Sequence, residues 1–101
     1  MRARVLIYAL VPDTDPDGVE KAYYEISTAL AGVPGPLGNE LLREVDRDEG
    51  AFVVMSEWED MSAFHRWELS AGHRATTEPL RRYQDSRRGR SFAVYEVRAQ
   101  Y

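Results

Sequence analysis

Residues 51–58 (AFVVMSEW) alternate with the period of a β-strand, yet both of the resulting faces are largely apolar. Phe52, Val54, Ser56 and Trp58 fall on one side, and Ala51, Val53, Met55 and Glu57 on the other. A strand wetted on one side shows one polar face, so this strand belongs to a sheet covered on both sides. The rest of the chain must supply that cover. Residues 3–11 (ARVLIYALV) form a second run dense in β-formers, stopped by Pro12. The stretch 12–18 (PDTDPDG) is turn chemistry, with Asp15 placed to cap a helix that has Pro16 at its first position. Val19, Ala22, Tyr23, Ile26, Ala29 and Leu30 then recur at helical spacing, until Gly32, Pro34, Gly35 and Pro36 end the helix. Residues 38–46 read as the strand that pairs with 51–58 through the polar turn Asp46-Arg47-Asp48-Glu49-Gly50. Asp60 caps a predicted helix over 61–71 carrying Met61, Phe64, Trp67 and Leu69. A third helical stretch follows Gly72 over 73–83, where Pro79 predicts a kink or a restart. The loop 86–90 (SRRGR) leads into a last strand over 91–99 (SFAVYEVRA).

The resulting order is β-α-β-β-α-β, with the second helical region in two pieces. That is the split βαβ arrangement of an α+β, ferredoxin-like fold: a four-stranded antiparallel sheet with helices on one face. One such domain accounts for residues 1–101. Helices on one face leave the other bare, and here the bare face is apolar. A second copy of the same chain is the simplest cover, so the sequence predicts a homodimer joined through its sheet faces, burying ~800 Å² per partner.

Several function classes are excluded at this stage. The chain has no cysteine, which rules out disulfides, a thiolate nucleophile and thiolate-held zinc or iron–sulfur sites. His65 and His73 are too far apart in sequence for zinc-binding spacing on one helix, so no metal site is expected. No phosphate-cradling glycine loop and no dinucleotide fingerprint occurs, so no nucleotide, flavin or nicotinamide cofactor is implied. Thirteen Lys plus Arg stand against 17 Asp plus Glu, a net charge of −4. Five arginines fall between Arg81 and Arg90, but no aromatic alternates with them as base stacking requires; the segment reads as a solvated loop and not a nucleic-acid surface. The longest uncharged apolar run, Val5 to Pro12, is far short of the ~20 residues that span a bilayer. A soluble cytoplasmic protein is the expectation.

The aromatic middle of the chain is what remains: Phe52, Trp58, Phe64 and Trp67, with His65 and His73 nearby. Packing alone accounts for each aromatic taken singly. Together they bring more indole and imidazole nitrogens than a small core needs, and buried nitrogens require partners. A pocket between sheet and helices, with flat walls for a flat aromatic ligand, supplies them.

The segments 33–45 (VPGPLGNELLREV) and 52–75 (FVVMSEWEDMSAFHRWELSAGHRA) resemble the antibiotic biosynthesis monooxygenase family of dimeric α/β barrels. The similar elements are the Pro-Gly before the second strand, the strand end Glu57-Trp58-Glu59, Ala63-Phe64 on the helix, and the run from Ser70 to Ala75. The resemblance implies a cofactor-independent monooxygenase that oxidises a phenolic or anthrone-like polyketide intermediate with O2 in antibiotic biosynthesis. A polyketide cyclase or aromatase using the same pocket, or a non-catalytic small-molecule-binding dimer, are the alternatives. Trp58 matches a strand-end Trp lining the site of the quinone-forming members; their Asn four positions earlier is Val54 here. Trp67 matches a Trp that faces the macrocycle in haem-degrading members, but the position of their proximal His is Thr77, so haem is not implied. His65 or His73 then serves as the base. Trp58, Asn39 and Tyr83 are candidate hydrogen-bond donors, and Trp67, Phe64 and Phe52 candidate walls around a small aromatic substrate.

Overall fold

The computed structural model describes residues 1–46 and 50–101, and in them four strands and three helices follow one another as β1 (Ala3–Leu10), α1 (Gly18–Leu30), β2 (Pro36–Arg43), β3 (Ala51–Trp58), α2 (Met61–Glu68), α3 (His73–Arg81) and β4 (Phe92–Glu96). Of the turn expected over 46–50 between β2 and β3, residues 47–49 lie outside the described residues. All pairings are antiparallel, in the order β2-β3-β1-β4, so the ferredoxin-like architecture stands.

The register sorts every side chain to a face. On the helix side, Leu41, Val54, Ile7 and Phe92 form one cross-strand row, and Asn39, Ser56, Val5 and Val94 the next. Ala3, Val5, Ala9, Val54 and Trp58 from this face meet Val19, Ala22, Ile26 and Leu30 of α1, Phe64 of α2 and Leu80 of α3 in one buried core. On the opposite side, Leu42, Val53 and Tyr8 form a row, beside Glu40, Met55, Leu6 and Ala93 and then Gly38, Glu57, Arg4 and Tyr95. Among the described residues no helix covers that side, and Leu42 and Tyr95 are exposed.

Element boundaries differ from expectation where tertiary contacts intervene. Helix α1 begins at Gly18, after Asp17, and not on Asp15. The Asp15 carboxylate accepts the Tyr83 hydroxyl instead, which removes it from capping duty. Asp60 does cap α2, accepting the Ala63 amide at 2.7 Å. Strand β2 starts at Pro36, two residues early, because it is a sheet edge where a missing N–H is tolerated. Helix α3 continues past Pro79 to Arg81. Strand β4 stops at Glu96, although the Val97 amide still donates to the Arg2 carbonyl at 2.8 Å.

The segment between α3 and β4 is bound to the edge of β1 beyond the reach of β4. The Leu10 amide donates to the Tyr83 carbonyl, the Asp85 amide to the Tyr8 carbonyl, and the Tyr8 amide to the Ser91 carbonyl, at 2.7, 2.9 and 2.8 Å. Arg87 locks this strap by donating from Nε and Nη2 to the buried Asp85 carboxylate at 2.9 and 2.8 Å. Among the described residues, no helix is long and apolar enough to cross a membrane.

Candidate active site

Helical spacing and the strap together shape a half-open cavity of about 280 Å³. Phe64, Trp67 and Glu68 are one face of α2, at i, i+3 and i+4. His73, Thr77, Leu80 and Arg81 are the facing stripe of α3. Val5 and Ile7 of β1 form the floor, while Gln84, Ser91 and Phe92 close the side nearest β4. A larger groove of about 650 Å³ runs between α1 and α3, but Asp15, Lys21, Glu25, Glu78 and Arg82 line it and Tyr83 is its only ring. The smaller cavity has aromatic and apolar walls; the larger groove is a charged surface cleft.

Trp67 organises the aromatic wall. Its ring centroid lies 5.2 Å from that of Trp58, and 4.5 Å from the His73 imidazole, which meets it edge-on at 87°. Trp58 stands behind this wall, fully buried, with Phe64 at 5.5 Å in an edge-to-face contact. The Trp58 indole N–H donates to Ser56 Oγ at 3.0 Å, so its polar handle is satisfied inside the protein.

His73 is the titratable group of the cavity whose chemistry the fold changes. Burial holds its imidazole below the ordinary histidine range; the charges of Arg81 and Arg74 push the same way, and Glu68 pulls against them. The ring is therefore neutral near pH 7 and able to accept a proton. Arg81 brings positive charge to the same wall. Its Nη2 donates to Thr77 Oγ1 at 2.7 Å and to the Arg74 carbonyl at 3.2 Å. Its Nε lies 3.3 Å from a Glu78 carboxylate oxygen, yet is buried without a hydrogen bond.

The structure brings Phe64, Trp67 and His73 together in the cavity, with Trp58 supporting them. The other expected residues lie elsewhere. His65 follows Phe64 in sequence and so points from the outer side of α2, where its Nδ1 pairs with Glu68 at 3.3 Å and its side chain is half exposed. Asn39 accepts the Tyr23 hydroxyl at 2.7 Å and is held against α1. Tyr83 lines the α1–α3 groove, with its hydroxyl given to Asp15 and its own proton held more tightly as a result. Phe52 packs at the core's edge opposite Ala9, away from the cavity lining. Sequence reading missed Arg81, Gln84, Ser91 and Phe92. Arg81 fell within the helical stretch expected over 73–83 but was counted with the arginine-rich run, so its place on the cavity wall was not seen. Among the described residues, no group of three His, Asp or Glu converges as metal ligands do.

The sequence profile of the antibiotic biosynthesis monooxygenases matches residues 3–79. The chain belongs to that family. Every element from β1 to most of α3 lies in the matched region, including Trp58, Phe64, Trp67 and His73. Protein SchA of Streptomyces halstedii is 29% identical over 82 residues, covering 81% of this chain; the chain spans 21% of the length of SchA. SnoaB, a cofactor-independent oxygenase from Streptomyces nogalater, superposes with a TM-score of 0.75 at 21% identity, over 98% of this chain and 94% of that one. A haem-degrading protein of Mycobacterium tuberculosis superposes with a TM-score of 0.71 at 24% identity, over 100% and 99% of the two chains. The two solved structures share the fold, which family members put to different chemistry.

Proposed function

We propose that this family member is a cofactor-independent monooxygenase acting on a phenolic, anthrone-like polyketide intermediate, and that it works as a homodimer joined through the open sheet faces. The observation that carries this reading is the imidazole of His73, set edge-on to Trp67 in a cavity that Phe64, Phe92 and the guanidinium-bearing Arg81 also line. The substrate supplies the electrons. His73 takes a proton from a CH2 conjugated to a phenol, and Arg81 stabilises the oxyanion over which the resulting carbanion is spread. That anion gives one electron to O2, and the two radicals join in a new C–O bond. The peroxide formed breaks its O–O bond as the second hydrogen leaves the carbon, giving a ketone. The departing hydroxide takes the proton from His73 and leaves as water, so that CH2 plus O2 becomes C=O plus H2O. Phe64, Trp67 and Phe92 hold the flat rings and keep bulk water from the anion.

Oxygen uptake on addition of anthrone tests the reaction. The expected result is one O2 consumed per anthraquinone formed, with His73→Asn lowering kcat/KM by ~10²-fold or more. Absence of uptake, with a linear polyketide converted to a closed ring, would replace the oxygenase with a cyclase.

A further inference from the structure

Glu68 reaches the cavity from the last turn of α2 and is the carboxylate in its lining. Its outer side is engaged by His65, whose Nδ1 lies 3.3 Å from Oε1 across one helical turn. Its inner side shares the cavity with His73 on α3, and the two groups interact through their charges. One carboxylate thus pairs with a solvent-facing imidazole and shares the cavity lining with a second, His73. The charged groups around His73 are few. Glu68 comes from α2, and Arg74 and Arg81 come from α3. The residues that β1 and the β4 side contribute to the lining, Val5, Ile7, Gln84, Ser91 and Phe92, are uncharged.

We propose that Glu68 is a positioning residue for the proposed oxidation: held in place by His65, it stabilises the imidazolium that forms when His73 takes the substrate proton. This rests on His73 being the base. An imidazole forced neutral by burial is a weak acceptor unless an anion awaits the charge it gains. Arg81 opposes that charge and favours the substrate oxyanion, so the two side chains divide the work: Glu68 serves the protonated base and Arg81 the deprotonated substrate.

The signs can be tested directly. With Glu68→Gln, the His73 ring should titrate at lower pH in an NMR titration, and the acid limb of kcat/KM should move with it. Near pH 7, kcat/KM should fall roughly tenfold, less than on loss of the base itself. With Arg81→Gln, the His73 titration should move the opposite way, to higher pH. Glu68→Asp keeps the charge and should keep the His73 titration near that of the parent, which separates charge from damage to the helix. A His73 titration unchanged or raised in Glu68→Gln overturns the proposal. Full oxygen uptake by His73→Asn would instead remove His73 as base, an outcome read in a different variant from the one that tests Glu68.

Discussion

At the residue scale, the support of the cavity wall is more sensitive than the wall. Trp58 is sealed between β3 and α2, with its one donor given to Ser56. Ser56→Ala strands that N–H in the core and should destabilise the fold by about 1–3 kcal/mol, read as a lower urea midpoint with an unchanged slope. Gly35 matters for a different reason. Its φ is +109°, and a Cβ there would lie 2.8 Å from the Ala63 Cβ and 3.4 Å from the Trp58 ring. Gly35→Ala therefore combines a disfavoured backbone with a clash between the turn entering β2 and α2, and should cost about 2 kcal/mol or more while lowering kcat/KM through the displaced Phe64 and Trp67. His73 makes stability depend on pH. Its folded form resists protonation, whereas the unfolded ring binds a proton near the ordinary value of 6.5. Its contribution is thus complete above about pH 6.5 and is lost as pH falls below it. Urea midpoints at pH 7 and pH 5 should differ less in His73→Asn than in the parent. Of these residues, sequence alone marked Trp58, Phe64, Trp67 and His73, because aromatic side chains at strand and helix spacing announce a shared face. It could not separate His65 from His73, since both sit beside aromatics in the chain and only the docking of α2 onto β3 decides which faces inward.

At the element scale, the strap from Tyr83 to Ser91 decides whether the cavity has a closed side. Its ends are hydrogen-bonded to β1, and its middle is anchored where Arg87 meets Asp85. Arg87→Ala leaves a buried carboxylate without that fork and should destabilise the protein by about 1–3 kcal/mol. Faster amide exchange at Tyr8, Asp85 and Leu10 relative to the centre of β3 would show that the loss is centred on the strap. This element was the least legible in the sequence. Its residues are polar and rich in arginine, which describes a solvated loop equally well, and its structure comes from pairing with a strand at the other end of the chain. The strands themselves were legible to within a few residues, because alternation in 51–58 and the apolar run at 3–11 leave little freedom of register. The start of α1 was not, since Asp15 is claimed by Tyr83 from far along the sequence and no local pattern carries that information.

At the scale of the whole molecule, the proposed dimer follows from the three cross-strand rows on the open side of the sheet. Leu6, Tyr8, Leu42, Val53, Met55 and Tyr95 make an apolar centre, beside which Arg4 pairs with Glu57 at 3.0 Å. A charge set into that centre is buried against its own copy, so Leu6→Asp should convert the native species to a monomer. Light scattering should report about twice the 11.6 kDa chain mass for the parent and close to 11.6 kDa for the variant. A parent that stays monomeric at micromolar concentration would sink the dimer. The position of β1 has a consequence for how the molecule comes into being. It is made before the other three strands, yet its neighbours in the sheet are β3 and β4, the last two of the four in sequence. On a ribosome adding roughly 5–20 residues per second, β1 waits for seconds with both hydrogen-bonding edges unsatisfied. The α1 helix, made next, is the one early element able to shelter its apolar face, and Val19, Ala22 and Ile26 do so in the finished core. Ser91 and Phe92, the last residues of the cavity wall to be synthesised, complete the site only as β4 adds to β1. Catalytic competence should then emerge in the final phase of refolding, after the helical signal has been recovered, because the long-range pairings that shape the cavity are those that form most slowly.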